Sequence, residues 1–291
     1  MKTGRIIKAL AGFYYVESSN VKVQCRARGK FRKEEIKPLV GDEVEYTIED
    51  NNDGYIMNIL PRKNVLVRPP ICNIGQALLV FSWKEPDFST MLLDKFLLII
   101  ENLSIEPIIC ISKIDLAVDD DMKKYVDEYK MAGYQVLEIS SSKQQGLENV
   151  KNIFKDNITV ITGQSGVGKS SLLNALDTGL NIETQTISKA LGRGKHTTRH
   201  VELLPLYGGY VADTPGFSSL ELLMEPTEAA VAYRDFKKFS KNCKFRGCLH
   251  DSEPNCGVKE AVEQGEISKE RYHHYLYYLE EIKEKREHLY G

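Results

Sequence analysis

Over the first 67 residues, short apolar runs alternate with turn residues. Arg5–Ile7, Phe13–Glu17, Val21–Arg26, Glu43–Ile48 and Gly54–Ile59 are rich in Val, Ile, Tyr and Phe. Gly12, Asn20, Gly29, Gly41-Asp42 and Asn51–Gly54 separate them. Short strands at this spacing predict a small β-barrel. Pro61, then Pro69-Pro70, predict a linker after it.

The pattern then changes. Gln76–Phe81, Pro107–Ile111, Gln135–Ile139, Ile158–Ile161 and Gly209–Ala212 read as strands, with helices near Phe88–Asn102 and Asp119–Gly133. Alternating strands and helices predict a mostly parallel sheet covered on both faces, with ligands at the C-terminal ends of its strands. Beyond Leu223 no strand is predicted. Pro226–Phe239 reads as a helix capped by Thr227, and a cysteine-rich loop follows. Ser268–Leu289 carries apolar or aromatic residues at 272, 275, 276, 279 and 282, a helical spacing. The expected fold is multidomain α/β, divided at 1–67, 68–222 and 223–291.

Composition narrows this only slightly. Apolar residues make up 42% of the 291, enough for packed cores, and the formal charge is −2, which gives no sign of a nucleic-acid coat. Residues 1–67 hold 12 Lys/Arg against 9 Asp/Glu, a local +3 that permits RNA binding there. The most apolar window, Met91–Leu103, is too short to span a bilayer and is interrupted by Asp94, Lys95 and Glu101. It reads as a buried helix. The N-terminus lacks the apolar run of a signal peptide, and the six cysteines form no disulfide framework. A cytoplasmic protein is expected, with no membrane partner and nothing that demands a dimer.

The chemistry enters at Gly163-Gln164-Ser165-Gly166-Val167-Gly168-Lys169-Ser170, a GxxxxGKS phosphate loop followed by Ser171 and a helical run. Its glycines let backbone N–H groups curl around phosphate. Lys169 is expected to reach the β- and γ-phosphates, and Ser170 to hold Mg²⁺. Asp213 in Asp213-Thr-Pro-Gly216 ends a predicted strand and suits the Mg²⁺ shell, with the Gly216 N–H sensing the γ-phosphate. Asp115 in Ser112-Lys113-Ile114-Asp115 suits the two donors on the guanine edge, with the Lys113 stem over the purine. Ser112 stands where an Asn is usual. Ser140-Ser141-Ser142-Lys143, after the next strand, suits guanine O6 through a backbone N–H, with Ser140 and Ser141 as the candidate residues. Gly192–Arg199 has the composition of a switch loop, and Thr197 or Thr198 would complete the Mg²⁺ shell. Phe217 follows Gly216 where Ras-like enzymes carry the water-orienting Gln, so slow intrinsic hydrolysis is expected. His196 is the candidate to replace that Gln. The base motif precedes the phosphate loop by about fifty residues, the reverse of the usual order.

Cys243-x4-Cys248-x-His250-x5-Cys256 offers three thiolates and one imidazole, the donor set of a closed structural zinc site. His273 and His274 read as surface residues.

Together these motifs resemble the ribosome small-subunit-dependent GTPase family RsgA, of YjeQ/YloQ type, over essentially the whole chain. The resemblance implies an OB-fold RNA-binding domain at 1–67, a circularly permuted P-loop GTPase domain at 68–222 and a zinc-binding helical domain at 223–291. It implies hydrolysis of GTP to GDP and phosphate, stimulated by the 30S ribosomal subunit, in late maturation of that subunit with its 16S rRNA. It also implies that His196 matters for hydrolysis. Arg199 departs from a frequent third threonine, which leaves Thr197 and Thr198 both open as the Mg²⁺ ligand. Arg26, Arg28, Lys30, Arg32 and Lys33 form the best RNA-contact stretch. Nucleotide state is expected to bias the orientation of the C-terminal domain. Competing readings are an ATP-dependent kinase with a phosphate loop, an RNA-binding protein that uses nucleotide only for structure, and a tRNA-modification GTPase. The last lacks any sign of a second catalytic domain.

Overall fold

The computed structural model describes residues 1–19, 21–49, 53–67, 69–117, 121–177, 201–212 and 221–290. The barrel strands are β1 (Lys2–Leu10), β2 (Phe13–Ser18), β3 (Val21–Ala27), β4 (Glu43–Ile48) and β5 (Gly54–Ile59), with the one-turn helix α1 (Lys30–Lys33) after β3. A small hairpin follows, β6 (Val65–Leu66) and β7 (Ile71–Cys72). Then come β8 (Gln76–Ser82), α2 (Thr90–Asn102), β9 (Glu106–Ser112), α3 (Asp121–Met131), β10 (Gln135–Glu138) and α4 (Leu147–Ile153). They are followed by β11 (Ile158–Thr162), α5 (Lys169–Leu176), β12 (Leu203–Leu206) and β13 (Gly209–Ala212). The chain ends in helices α6 (Pro226–Ala229), α7 (Arg234–Phe239), α8 (Gly257–Glu263) and α9 (Lys269–Tyr290).

The described residues form two compact units. The first takes residues 1–77, 147–162 and those from 169 to 212. Its barrel closes in the order β1-β2-β3-β5-β4, antiparallel except for the parallel pair β3/β5. That is the five-stranded Greek-key pattern of an OB-fold. Alternation fills the barrel: Ile6, Val16, Cys25, Val44, Tyr46 and Ile56 are all buried. β1 is longer than predicted because its irregularity between Ile6 and Lys8 lets one strand serve both β2 and β4.

The predicted linker is structured. Ile71 and Cys72 are buried, Cys72 N donates to the Val40 carbonyl, and Gly41 approaches Cys72 so closely that a Cβ would sit 2.1 Å from its oxygen. The Pro-rich stretch thus folds back on the barrel. In the same unit β1 meets β12 at a Lys8–Glu202 bridge. β12 went unpredicted because Pro205 argues against a strand, and the structure places it at a sheet edge, where proline is tolerated.

Among the α/β strands, the order is β10-β9-β8 in the second unit and β11-β13-β12 in the first. β10/β9 and β11/β13 are parallel and β12/β13 antiparallel. β8 and β11 are buried at every residue, which explains their unbroken apolar runs.

The second unit holds 78–146, 163–168 and the C-terminal residues from 221. The predicted helix at Pro226–Phe239 is two helices. α6 is capped by Glu225, not Thr227, through a reciprocal capping box with Glu228. A carboxylate does the work expected of a hydroxyl because Pro226 fixes the first helical position two residues earlier. α2 is the expected buried helix, and each charge that interrupts it is paired with the C-terminal helices. Asp94 Oδ1 meets Arg271 Nε at 3.1 Å, Lys95 Nζ meets Glu281 at 3.4 Å, and Glu101 Oε1 meets Arg234 Nε at 2.7 Å. His274 is not a free surface residue: its Nδ1 lies 2.7 Å from Asp94 Oδ2, whereas His273 is exposed.

Candidate functional site

At the end of β11 the backbone turns at Gly163, with φ +144°. A Cβ there would lie 2.0 Å from the Val80 carbonyl oxygen, so no side chain fits. Gly166 and Gly168 adopt φ +83° and +94°. These left-handed positions wind the chain tightly into α5, the arrangement that presents backbone N–H groups to phosphate. Val167 is buried and Ser165 exposed, while Gln164 lies between them in exposure. Lys169 and Ser170 open α5, and Ser171 is exposed one position on. Burial lowers the Lys169 ammonium to about 8.

Ser112, at the end of β9, reaches this loop. Its Oγ lies 2.5 Å from the Val167 carbonyl oxygen and 3.3 Å from that of Phe81. A hydroxyl donates once, so the shorter contact is the bond. The unusual serine thus ties the base motif to the phosphate loop, a role the spacing alone did not disclose. Lys113 follows in the left-handed conformation, φ +58°, and its Nζ donates to the Glu85 carbonyl. Asp115 accepts from Ser142 Oγ at 3.1 Å. Hydrogen bonds from Ser140, then Ser142, hold its carboxyl below the usual range. At neutral pH it is therefore an acceptor only, as reading two N–H donors requires. Ser140 is buried; its Oγ accepts from Lys143 N and lies 3.0 Å from Ser142 Oγ. Ser141 follows it in the same turn. Sequence reasoning gave the Ser140–Lys143 stretch a backbone role towards guanine and did not foresee that the Ser140 and Ser142 hydroxyls hold Asp115.

His196, Thr197, Thr198, Asp213 and Gly216 lie outside the described residues. β13, which precedes Asp213, pairs Val160 with Ala212 in parallel beside the strand that leads to the phosphate loop.

The order of parts now decides the kinship. The model of the RsgA GTPase family matches residues 59–223, and that of the RsgA N-terminal domain matches residues 3–56. The chain belongs to the RsgA GTPase family. It is 54% identical over 287 residues to the small ribosomal subunit biogenesis GTPase RsgA of Halalkalibacterium halodurans, covering 97% of this chain and 98% of that one. The RsgA of Bacillus subtilis (strain 168) is 53% identical over 295 residues, with 98% and 99% covered. A solved structure of YloQ, described as a circularly permuted GTPase, superposes with a TM-score of 0.85 at 49% identity, over 98% and 96% of the two chains. YjeQ from Thermotoga maritima superposes at 0.84 and 37% identity, over 96% and 98%.

The C-terminal cluster is compact. Cys243, Cys248, His250 and Cys256 bring their ligand atoms within 4.8 Å of one another. Cys243 Sγ lies 3.8 Å from Cys256 Sγ, and His250 Nδ1 lies 3.6 and 3.3 Å from those two sulfurs. Tetrahedral zinc, with sulfur at ~2.3 Å and nitrogen at ~2.0 Å, sets edges of about 3.8 and 3.6 Å. The four residues fit a metal ion such as zinc. His250 Nε2 lies 3.0 Å from the Ala230 carbonyl, which leaves Nδ1 as the ligand. Burial lowers His250, favouring the neutral imidazole a metal needs, and raises Cys248 to about 12, so a metal must displace its proton. Glu253 accepts from Leu249 N at 2.7 Å and Asp251 N at 3.0 Å, which shapes the loop. Among the described residues no helix is long and apolar enough to cross a membrane.

On the barrel, Arg26 is exposed over the Phe13 ring at 4.9 Å, and Lys30 donates to Asn58 at 2.8 Å. Arg28 is also exposed; the side chains of Arg32 and Lys33 lie outside the described residues.

Proposed function

We propose that this protein hydrolyses GTP to GDP and phosphate, is stimulated by the 30S ribosomal subunit and acts in late maturation of that subunit. The observation that carries it is the Ser112–Val167 bond, which joins a guanine-type motif to a phosphate loop across 55 residues of chain in permuted order. Family membership, and relatives named small ribosomal subunit biogenesis GTPase, support it.

In this reading Asp115 selects guanine, the Lys113 stem covers the purine and the Ser140-Ser141 backbone meets O6. The Gly163–Gly168 backbone and Lys169 hold the phosphates. Ser170, Asp213 and either Thr197 or Thr198 hold magnesium, which spreads the charge developing on the transferred phosphoryl. Gly216 senses the γ-phosphate, and His196 orients the attacking water. The barrel at 1–67 grips 16S rRNA through Arg26, Arg28 and Lys30. Residues 68–222 form the GTPase domain and 223–291 a domain held by structural zinc. The protein works as a cytoplasmic monomer.

The test is GTP hydrolysis by purified protein, alone and with purified 30S subunits. Stimulation of about a hundredfold or more is expected, of the kind seen when a GTPase site is completed in trans. Intact GTP binding with no stimulation would exclude the subunit as activator.

A further inference from the structure

The segment between β8 and α2 touches both halves of the nucleotide site. Trp83 N donates to the Ser112 carbonyl at 2.9 Å, one residue before Lys113. Glu85, in the left-handed conformation at φ +58°, turns its carbonyl to the Lys113 ammonium. Pro86 then lies over the phosphate loop: its Cδ is 3.7 Å from where a Cβ on Gly166 would stand. The corner is pinned from within. Ser82 Oγ donates to the Pro86 carbonyl at 2.6 Å, and Phe88 N to the Trp83 carbonyl at 3.2 Å. Its outer side is packed, with the Trp83 ring 5.8 Å from Phe88 and 6.2 Å from Tyr125. The corner itself, Ser82 to Phe88, belongs to neither the phosphate loop nor the base motif.

We propose that the Trp83–Phe88 corner is a positioning element for guanine nucleotide, acting through Lys113. A lysine stem has four rotatable bonds and loses rotamer freedom when fixed. A carbonyl that holds the ammonium beforehand removes part of that cost from binding. Pro86 against Gly166 ties this hold to the loop that takes the phosphates, so base and phosphate ends are set together. This inference rests on the proposed place of the Lys113 stem over the purine.

The experiment is a double-mutant cycle on the full-length protein with GDP binding as the readout. The variants are Pro86→Gly, Ser82→Ala and Lys113→Ala, with melting temperatures measured alongside. Pro86→Gly and Ser82→Ala are expected to weaken GDP binding about fivefold, and less than twofold when Lys113 is already Ala, a coupling typical of residues acting as one unit. Trp83 is the single tryptophan, and its emission is expected to shift on GDP addition in wild type and less in Pro86→Gly. Losses that add fully to that of Lys113→Ala would overturn the proposal and leave the corner a structural turn. Unchanged GDP affinity in Lys113→Ala would instead sink the reading beneath it. Ser82→Ala, which removes one hydroxyl, decides the matter if Pro86→Gly fails to fold.

Discussion

Two joints in this molecule are built on opposite principles. In the first unit, the barrel meets the β12–β13 hairpin through a half-exposed ion pair and part-buried contacts around Tyr210. Lys8 and Glu202 pair at 2.8 Å with side chains each 32% exposed, Tyr210 donates to Glu17, and Arg5 lies 5.7 Å over the Tyr210 ring. In the second unit, the C-terminal helices meet α2 through a buried ionic cluster. Arg271 is fully enclosed, bonded to Asp94 and Asp235 and ringed by Tyr129, Tyr134 and Tyr233 within 5.5 Å. Tyr129 and His274 complete the partners of the Asp94 carboxylate, and Tyr233 bonds its backbone carbonyl at 2.8 Å. An exposed pair adds roughly 0–1 kcal/mol, whereas stripping one partner from a buried pair costs about 3–5 kcal/mol. On these magnitudes the first joint is expected to rearrange at lower cost than the second. The hairpin of the yielding joint lies in sequence between the two segments expected to sense nucleotide, 192–199 and 213–216. Reorienting the C-terminal helices with nucleotide state would require opening this buried cluster.

The largest blow to the rigid side is metal removal. Cys243, Cys248, His250 and Cys256 close the loop between α7 and α8, and structural zinc supplies on the order of 10 kcal/mol to small folds. Treating the full-length protein with a strong chelator is expected to release one zinc and to lower its melting temperature more than any variant below. Arg271→Ala comes next. It leaves Asp94 and Asp235 buried without their cation, with an expected loss of about 3–5 kcal/mol in urea unfolding. A loss under 1 kcal/mol would abolish the contrast between the joints.

Nucleotide affinity probes Lys169, which belongs to the first unit. Burial holds Lys169 at about 8, and a bound polyphosphate raises it. Below pH 8 the ammonium is present in both states and GDP affinity is level. As pH climbs above 8 the free protein loses a proton that the complex keeps, so affinity falls, approaching tenfold per pH unit. A flat profile from about pH 7 to 9.5 would take Lys169 off the phosphates. The smallest effect belongs to the barrel joint: Glu202→Gln is expected to shift stability by less than ~1 kcal/mol, and less still at high salt. A shift of several kcal/mol would show that this joint too is rigid.

The sequence disclosed what local chemistry dictates. Gly163, Gly166 and Gly168 announce a phosphate loop because only glycine holds those left-handed turns, and three cysteines with one histidine in fourteen residues announce a metal. Long-range partners stayed hidden. Asp94, Lys95 and Glu101 read as interruptions of an apolar helix, although each marks where Arg271, Glu281 or Arg234 arrives from more than 130 residues away. Ser112 read as a weakened asparagine because its partner, Val167, offers only a backbone carbonyl. β12 was masked by Pro205, and the β6–β7 hairpin by the prolines around it.

The Ser112–Val167 bond also has a direction in time. A ribosome making this chain at roughly 5–20 residues per second releases Ser112 about 3–11 seconds before the loop it will hold, a lead set by their separation of 55 residues. In the usual motif order the phosphate loop is synthesised first and waits for its base-reading partner. Here β8 and β9 can pair before Gly163 exists, and the phosphate loop closes onto a guanine corner already formed.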